Sequence, residues 1–175
     1  MPDTEGNSGG QELRMTADTY FLAADTIASM EGKAKIHFLN KKARRLEKSL
    51  GALTGLSEID FCVVEVDPGD ETTEHHKHYH EEECLYVLEG VGTARIGAES
   101  REVTAGDFVG FRKGGLAHSL KNTGDGVLKC IIVSQRKNHD VSDYPRRGKR
   151  LFRNKDPTWN LVDLTVIDRP FGART

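Results

Sequence analysis

The stretch Glu74-His75-His76-Lys77-His78-Tyr79-His80-Glu81-Glu82-Glu83 packs four histidines and four glutamates into ten residues. On an extended chain, side chains two apart share a face. His76, His78 and His80 then lie on one side, with His75, Lys77 and Tyr79 on the other. The run leads into CLYVLEG, where Glu83, Leu85 and Val87 face one way and Cys84, Tyr86 and Leu88 the other. A carboxylate at the head of a strand with Leu and Val behind it points inward. That is costly unless it is paired or bound to a metal.

Working outward, residues 59–135 read as about eight short β-type runs broken by turn residues, from IDFCVVEV to VLKCIIVSQ. Regular short strands without βαβ alternation predict an all-β antiparallel barrel or sandwich. The rest of the chain divides around it. Residues 1–15 are rich in Gly, Ser and acids and read as disordered. Residues 16–58 form an N-terminal extension packed on the barrel or a partner. In it TADTYFLAADTIASM reads as a short helix opened by Thr16 or Asp18, and KAKIHFLN as extended. KKARRLEKSLG reads as a helix, with Ala43, Leu46 and Leu50 at helical spacing and Gly51 at its end. Residues 136–175 are a C-terminal arm whose WNLVDLTVIDRP alternates like a strand, wrapping its own barrel or a second subunit.

Composition narrows the function classes. Among 175 residues the formal charge is −2, which gives no electrostatic case for nucleic acid. No apolar run approaches a membrane span, and the N-terminus lacks the regions of a signal peptide, so the expected compartment is the cytoplasm. Cys62, Cys84 and Cys130 sit in apolar runs and read as buried small hydrophobes, not as a disulfide framework.

One further histidine completes the pattern. In GDFVGFRKGGLAHSLKN, His118 starts a strand after a glycine-rich turn. If its face is the interior, it meets His76, His78 and Glu83 in one pocket. Three imidazoles and a carboxylate would leave positions open on an octahedral ion. The competing reading is a solvated, His-rich loop. Glu81 and Glu82 read as solvated acids of the turn or, with Tyr79 and His80, as acid-base groups at the mouth; His80 reads as a residue supporting the ligands or on the rim, and Asn122 as a turn residue. Arg112 near the mouth suggests an anionic ligand, or is simply a surface arginine.

The segment from Gly69 to Asn122 resembles the two motifs of the cupin superfamily. Pro68-Gly69, His76-Lys77-His78, Glu83 and Gly90 follow the first motif; Gly106-Asp107, Gly114, His118 and Asn122 follow the second. It departs from the pattern in the spacing of Gly69 to His76, in Arg112 where a proline is usual, and in a longer turn before His118. KSLGALTGL and DVSDYPRRGK extend the likeness to a group of single-barrel prokaryotic cupins. The resemblance implies a jelly-roll barrel (a double-stranded β-helix) with His76, His78, Glu83 and His118 as ligands of one divalent metal, whether Fe, Mn, Ni or Zn. It further implies a small-molecule ligand and a homodimer, with Tyr86 and Leu88 as candidates for the contact surface or for cover by residues 16–50. The reaction stays open among dioxygenase, decarboxylase, isomerase and hydrolase types. The alternatives are a non-enzymatic small-molecule sensor and a metal-independent sugar epimerase-like cupin.

Overall fold

A computed structural model describes residues 19–156, 158–168 and 170. The expected disorder of residues 1–15 and the helix start at Thr16 or Asp18 lie outside these residues. The first described helix is α1 (Ala24–Ser29). Among the described residues thirteen strands follow: β1 (Lys33–His37), β2 (Asn40–Ser49), β3 (Ile59–Val66), β4 (Lys77–His78), β5 (Glu83–Glu89), β6 (Val91–Ile96), β7 (Glu99–Thr104), β8 (Phe108–Phe111), β9 (His118–Asn122), β10 (Leu128–Gln135), β11 (His139–Tyr144), β12 (Lys149–Asn154) and β13 (Asn160–Asp163). A four-residue helix, α2 (Leu50–Leu53), joins β2 to β3.

One wall is a six-stranded sheet in the order β1-β2-β3-β10-β5-β8. The facing wall combines β13-β12-β11-β4 with β7-β6-β9, joined through the bridges Glu71 to Lys121 and His76 to His118. All strand pairs are antiparallel. The result is an antiparallel barrel, as the strand pattern predicts, and the jelly roll that the resemblance implies. Both walls feed one core of Cys62, Val64, Val66, Leu85, Val87, Ala94, Val103, Leu120, Leu128 and Cys130. Each large side chain among these contributes about 1.5–3 kcal/mol by leaving water. On β5 the expected alternation holds. Leu85 and Val87 are buried, while Tyr86 and Leu88 are 43% and 40% exposed.

The sheets extend beyond residues 59–135 on both sides. KKARRLEKSLG is not a helix: residues 40–49 form β2, paired with β1 and with β3. Only the four residues from Leu50 are helical. Helical spacing of Ala43, Leu46 and Leu50 was misleading, because the inward face of this strand is Ala43, Arg45 and Glu47, and two of these are charged. The alternating polar signal of a half-buried strand is therefore missing. Downstream, β11 and β12 form a hairpin beside β4, and β13 pairs with β12 of the same chain.

Two turn residues fix the barrel near β6 and β9. Asn122 is fully buried, its amide donating to the carbonyls of Val66 (2.7 Å) and Gly126 (2.8 Å) and its oxygen accepting from the Gly124 N–H (3.0 Å). It is a turn residue, as the sequence suggested. Gly90 has φ +87°, and a Cβ there would stand 2.5 Å from the Val127 carbonyl oxygen and 2.9 Å from the Leu128 Cα. Gly90→Ala is expected to destabilise the fold by about 3 kcal/mol or more through backbone strain and collision. Urea denaturation would show this as a lower midpoint with an unchanged slope.

Candidate metal centre

The four residues singled out in the sequence meet at one end of the barrel. Backbone pairing brings two of them side by side: the His76 N–H donates to the His118 carbonyl (3.0 Å) and the His118 N–H to the His76 carbonyl (2.7 Å). His78 lies on β4, opposite Ser142 of β11. Glu83 opens β5, placed between Ser134 of β10 and Phe111 of β8. Leu85 and Val87 behind it belong to the core, so the apolar interior ends where the carboxylate begins.

The donor atoms converge. His76 Nε2 lies 3.0 Å from His78 Nε2, and Glu83 Oε2 lies 3.3, 3.6 and 3.2 Å from the Nε2 atoms of His76, His78 and His118. Each ring has an oxygen at its other nitrogen. His76 Nδ1 meets the Glu74 carbonyl at 2.8 Å, His78 Nδ1 the Asp140 carboxylate at 2.5 Å, and His118 Nδ1 the Leu116 carbonyl at 3.4 Å. Those acceptors fix the proton on Nδ1 of a neutral ring. Three Nε2 lone pairs and a carboxylate oxygen then face one another with no hydrogen between them, an arrangement that repels itself unless a cation or protons fill the centre.

The spacing suits a cation. Two donors each about 2.1 Å from one ion stand roughly 3.0 Å apart at a right angle and about 3.4 Å apart at the tetrahedral angle. The observed separations of 3.0 to 3.6 Å span these values. The residues present therefore fit a divalent ion: His76, Glu83 and His118 bring their ligand atoms within 4.8 Å of one another, and so do His78, Glu81 and Asp140 beside them.

The electrostatics agree. Burial disfavours the charged form of Glu83, but where protons rather than a cation fill the centre, hydrogen bonds from His118 and His76 and the nearby imidazoles hold its carboxyl well below the usual range. His118 is shifted down by burial, which outweighs Glu83. His78 is shifted up although burial opposes it, because Asp140 and Glu83 favour its protonated form. Phe111 stacks on His118, centroids 3.7 Å apart and 4° from parallel, fixing that ring's plane.

Several contributors were not legible beforehand. Asp140 is fully buried; besides His78 it accepts from the His80 N–H (3.1 Å) and the Ser142 hydroxyl (3.1 Å). Burial opposes its ionisation, yet the hydrogen bond and charge of His78 hold it at about 2. Ser142 Oγ is also 2.9 Å from His78 Nδ1. The signal was present as Asp140-x-Ser142-x-Tyr144, a period-two polar face in what read as the C-terminal arm. Glu81 is not a solvated acid of the turn. It is 2% exposed, paired with Arg153, and accepts the Lys137 N–H at 2.5 Å. Glu82 and His80 are exposed as expected.

The donors open into a cavity of about 240 Å³ whose wall includes His37, Phe38, Arg45, Tyr144 and Trp159. Arg112 is not part of this wall; it lines a second hollow with Phe108 and Gly110. Cys62 and Cys130 are buried, but Cys84 is half-buried and touches both spaces, contrary to its expected orientation. All three cysteines are free. Arg45 spans Glu47 (2.8 Å) and the Thr72 carbonyl, so the charged face of β2 is also the cavity wall.

Comparison with known proteins agrees with this architecture. A cupin domain family model matches residues 62–134. A crystal structure from Acidithiobacillus ferrooxidans, of a protein provisionally described as a sugar phosphate isomerase, is 43% identical. Its TM-score is 0.84, and the match covers 86% of this chain and 96% of that one. A cupin described as a sugar phosphate isomerase from Silicibacter pomeroyi superposes with a TM-score of 0.72 over 86% of this chain and 97% of its own, at 19% identity, a likeness of fold. An uncharacterised protein of Methanocaldococcus jannaschii is 37% identical over 59 residues, 34% of this chain; the match spans about half that relative's length (46%). Among the described residues no helix is long and apolar enough to cross a membrane. With its barrel, its matched domain and a 43%-identical relative aligned over nearly that relative's whole length, the chain belongs to the cupin superfamily as a single-barrel member.

Proposed function

We propose that His76, His78, Glu83 and His118 hold one divalent metal ion, and that the cavity takes a small hydroxy-carbonyl compound of the sugar phosphate kind for isomerisation. The observation that carries the metal assignment is the meeting of three Nε2 atoms and one carboxylate at 3.0–3.6 Å, with every Nδ1 already facing an acceptor. The substrate class is supported by the 43%-identical relative and its provisional description. When bound, the ion supplies Lewis-acid polarisation of a substrate oxygen.

The chain's own residues do the remaining work in this reading. At about 240 Å³ the cavity suits a small ligand, being below the roughly 300–1,000 Å³ common for drug-sized ones. Arg45, Arg136 and Arg153 reach its wall, each balanced by an acid (Glu47, Asp60 and Glu81), and offer guanidinium N–H groups to an anionic substituent. The same reading includes a homodimer through the outer face of β5 and β8, where Tyr86 lies opposite Phe108 and both are exposed. It also assumes a reducing, cytoplasmic setting for the three free thiols.

Elemental analysis of the purified protein tests the first part. About one ion per chain is expected, and less than a tenth of that after reconstitution would end the metal assignment. Turnover of triose to hexose phosphates by the metal-loaded protein tests the second. A loaded protein that isomerises none of them would remove the sugar phosphate reading and leave the metal site standing.

A further inference from the structure

We propose that His37 and Tyr144 form a pair of neutral hydrogen-bond donors in the cavity that binds and stabilises a negatively charged substrate oxygen. The inference rests on the reading of the cavity as a site for a small oxygenated molecule and assigns it an oxyanion subsite.

Tyr144 is 5% exposed and lines the cavity, on the same face of β11 as Asp140 and Ser142. Its ring stands 6.1 Å from that of His76 and edge-on to His37 at 5.3 Å. Among the described residues the Tyr144 hydroxyl makes no hydrogen bond. A buried phenol normally finds an acceptor. Here the space that Tyr144 lines is the cavity.

His37 comes from β1, in the N-terminal extension, and meets the same space. The Leu39 N–H donates to its Nδ1 at 3.1 Å, so that nitrogen carries the lone pair and the proton sits on Nε2. Phe38 stacks on the ring at 4.5 Å and also meets Tyr144, holding both donors in one aromatic cluster. Protonating His37 would place a hydrogen against the Leu39 N–H, and burial also disfavours the cation, so the ring remains a single, uncharged N–H donor. Fixed neutral donors stabilise charge that develops on a substrate oxygen without reorganising. Such charge sits on the oxygen of an enediolate-like or hydroxamate ligand. Neither donor needs to give up its own proton for this.

The test uses the metal-loaded full chain and acetohydroxamate, a small anionic oxygen chelator that does not depend on which sugar is the substrate. Tyr144→Phe and His37→Phe keep the rings and remove one donor each. Each is expected to weaken acetohydroxamate binding about tenfold by calorimetry, the loss of one hydrogen bond to a charged acceptor. Metal content and melting temperature should stay at wild-type values, which a merely structural role would not allow. Equal affinity in wild type and both variants overturns the pair, as does a loaded wild type that does not bind acetohydroxamate at all. Weakened binding in the variants with no turnover of any sugar phosphate would uphold the donor pair and discard the isomerase reading.

Discussion

Replacing Glu83 by glutamine is expected to give a folded barrel that no longer retains a divalent ion through purification. Glu83 is the only anionic group of the four, and it is the common neighbour of the other three, within 3.6 Å of each Nε2. The glutamine is nearly isosteric, so Leu85 and Val87 behind it keep their packing and the core is undisturbed. Chemically the change is large. It removes the charge that a cation needs, and the new amide can turn N–H groups toward lone pairs that were waiting for metal. The loss should exceed the roughly 10–100-fold that removal of an outer hydrogen-bond partner costs in metal affinity.

A thermal consequence follows from linkage. A ligand present at a thousand times its dissociation constant adds about 4 kcal/mol to the native state. For a chain of this size each kcal/mol moves the melting temperature by roughly 2–4 °C. Adding a chelator to the loaded wild type should therefore lower its melting temperature by about 8–16 °C, and should leave Glu83→Gln unmoved. A variant that still loads one ion and still responds to chelator would show that three histidines suffice and that Glu83 is no ligand. The metal-free wild type has its own pH signature. Because the folded-state pKa of Glu83 is depressed, its contribution to stability is present above the ordinary carboxylate range and is lost as the pH falls through the lower folded value.

Why some of this was legible in the sequence and some was not follows from what each strand faces. His76, His78, Glu83 and His118 sit where apolar alternation runs into polar residues, and Leu85, Val87 and Leu120 beside them declare which face is inward. A carboxylate in that position is a physical anomaly, and anomalies can be read. β2 and β11 gave no such frame. Arg45 and Glu47 of β2 and Ser142 and Tyr144 of β11 point inward and line the cavity, so hydrophobic patterning is silent there. Charge that is paired inside, as in Arg45 with Glu47 or Arg153 with Glu81, looks the same in sequence as charge that is solvated outside. That is why the helix read at 41–51 was a strand and why Glu81 was placed in solvent. Partners of the histidines more than sixty residues downstream depend on strand pairing that local periodicity does not encode.

Asp140 is the place where that hidden pairing should be most visible in experiment. It holds His78 by Nδ1, and with it the direction of the lone pair on Nε2. Asp140→Ala is expected to weaken metal binding about 10–100-fold, less than the change at Glu83, because the ligand remains and only its orientation and basicity suffer. Ser142 limits the damage. Its hydroxyl lies 2.9 Å from the same Nδ1 and becomes the acceptor once the carboxylate is gone. Ser142→Ala alone should then change affinity by no more than about twofold, while the double variant should lose more than the product of the two single losses, the coupling expected of groups sharing one partner. Competition with a chelator of known affinity measures all four proteins. Strict additivity would mean that the serine does not substitute for the aspartate. Acid will not mimic the aspartate change. With its folded pKa near 2 instead of 3.8, Asp140 keeps its charge until well below pH 4. Protons that reach Nε2 compete with the ion for the ligand lone pairs while Asp140 is still charged, so they displace the ion first. Metal release on acidification should thus be complete with Asp140 still ionised and still holding His78 in place.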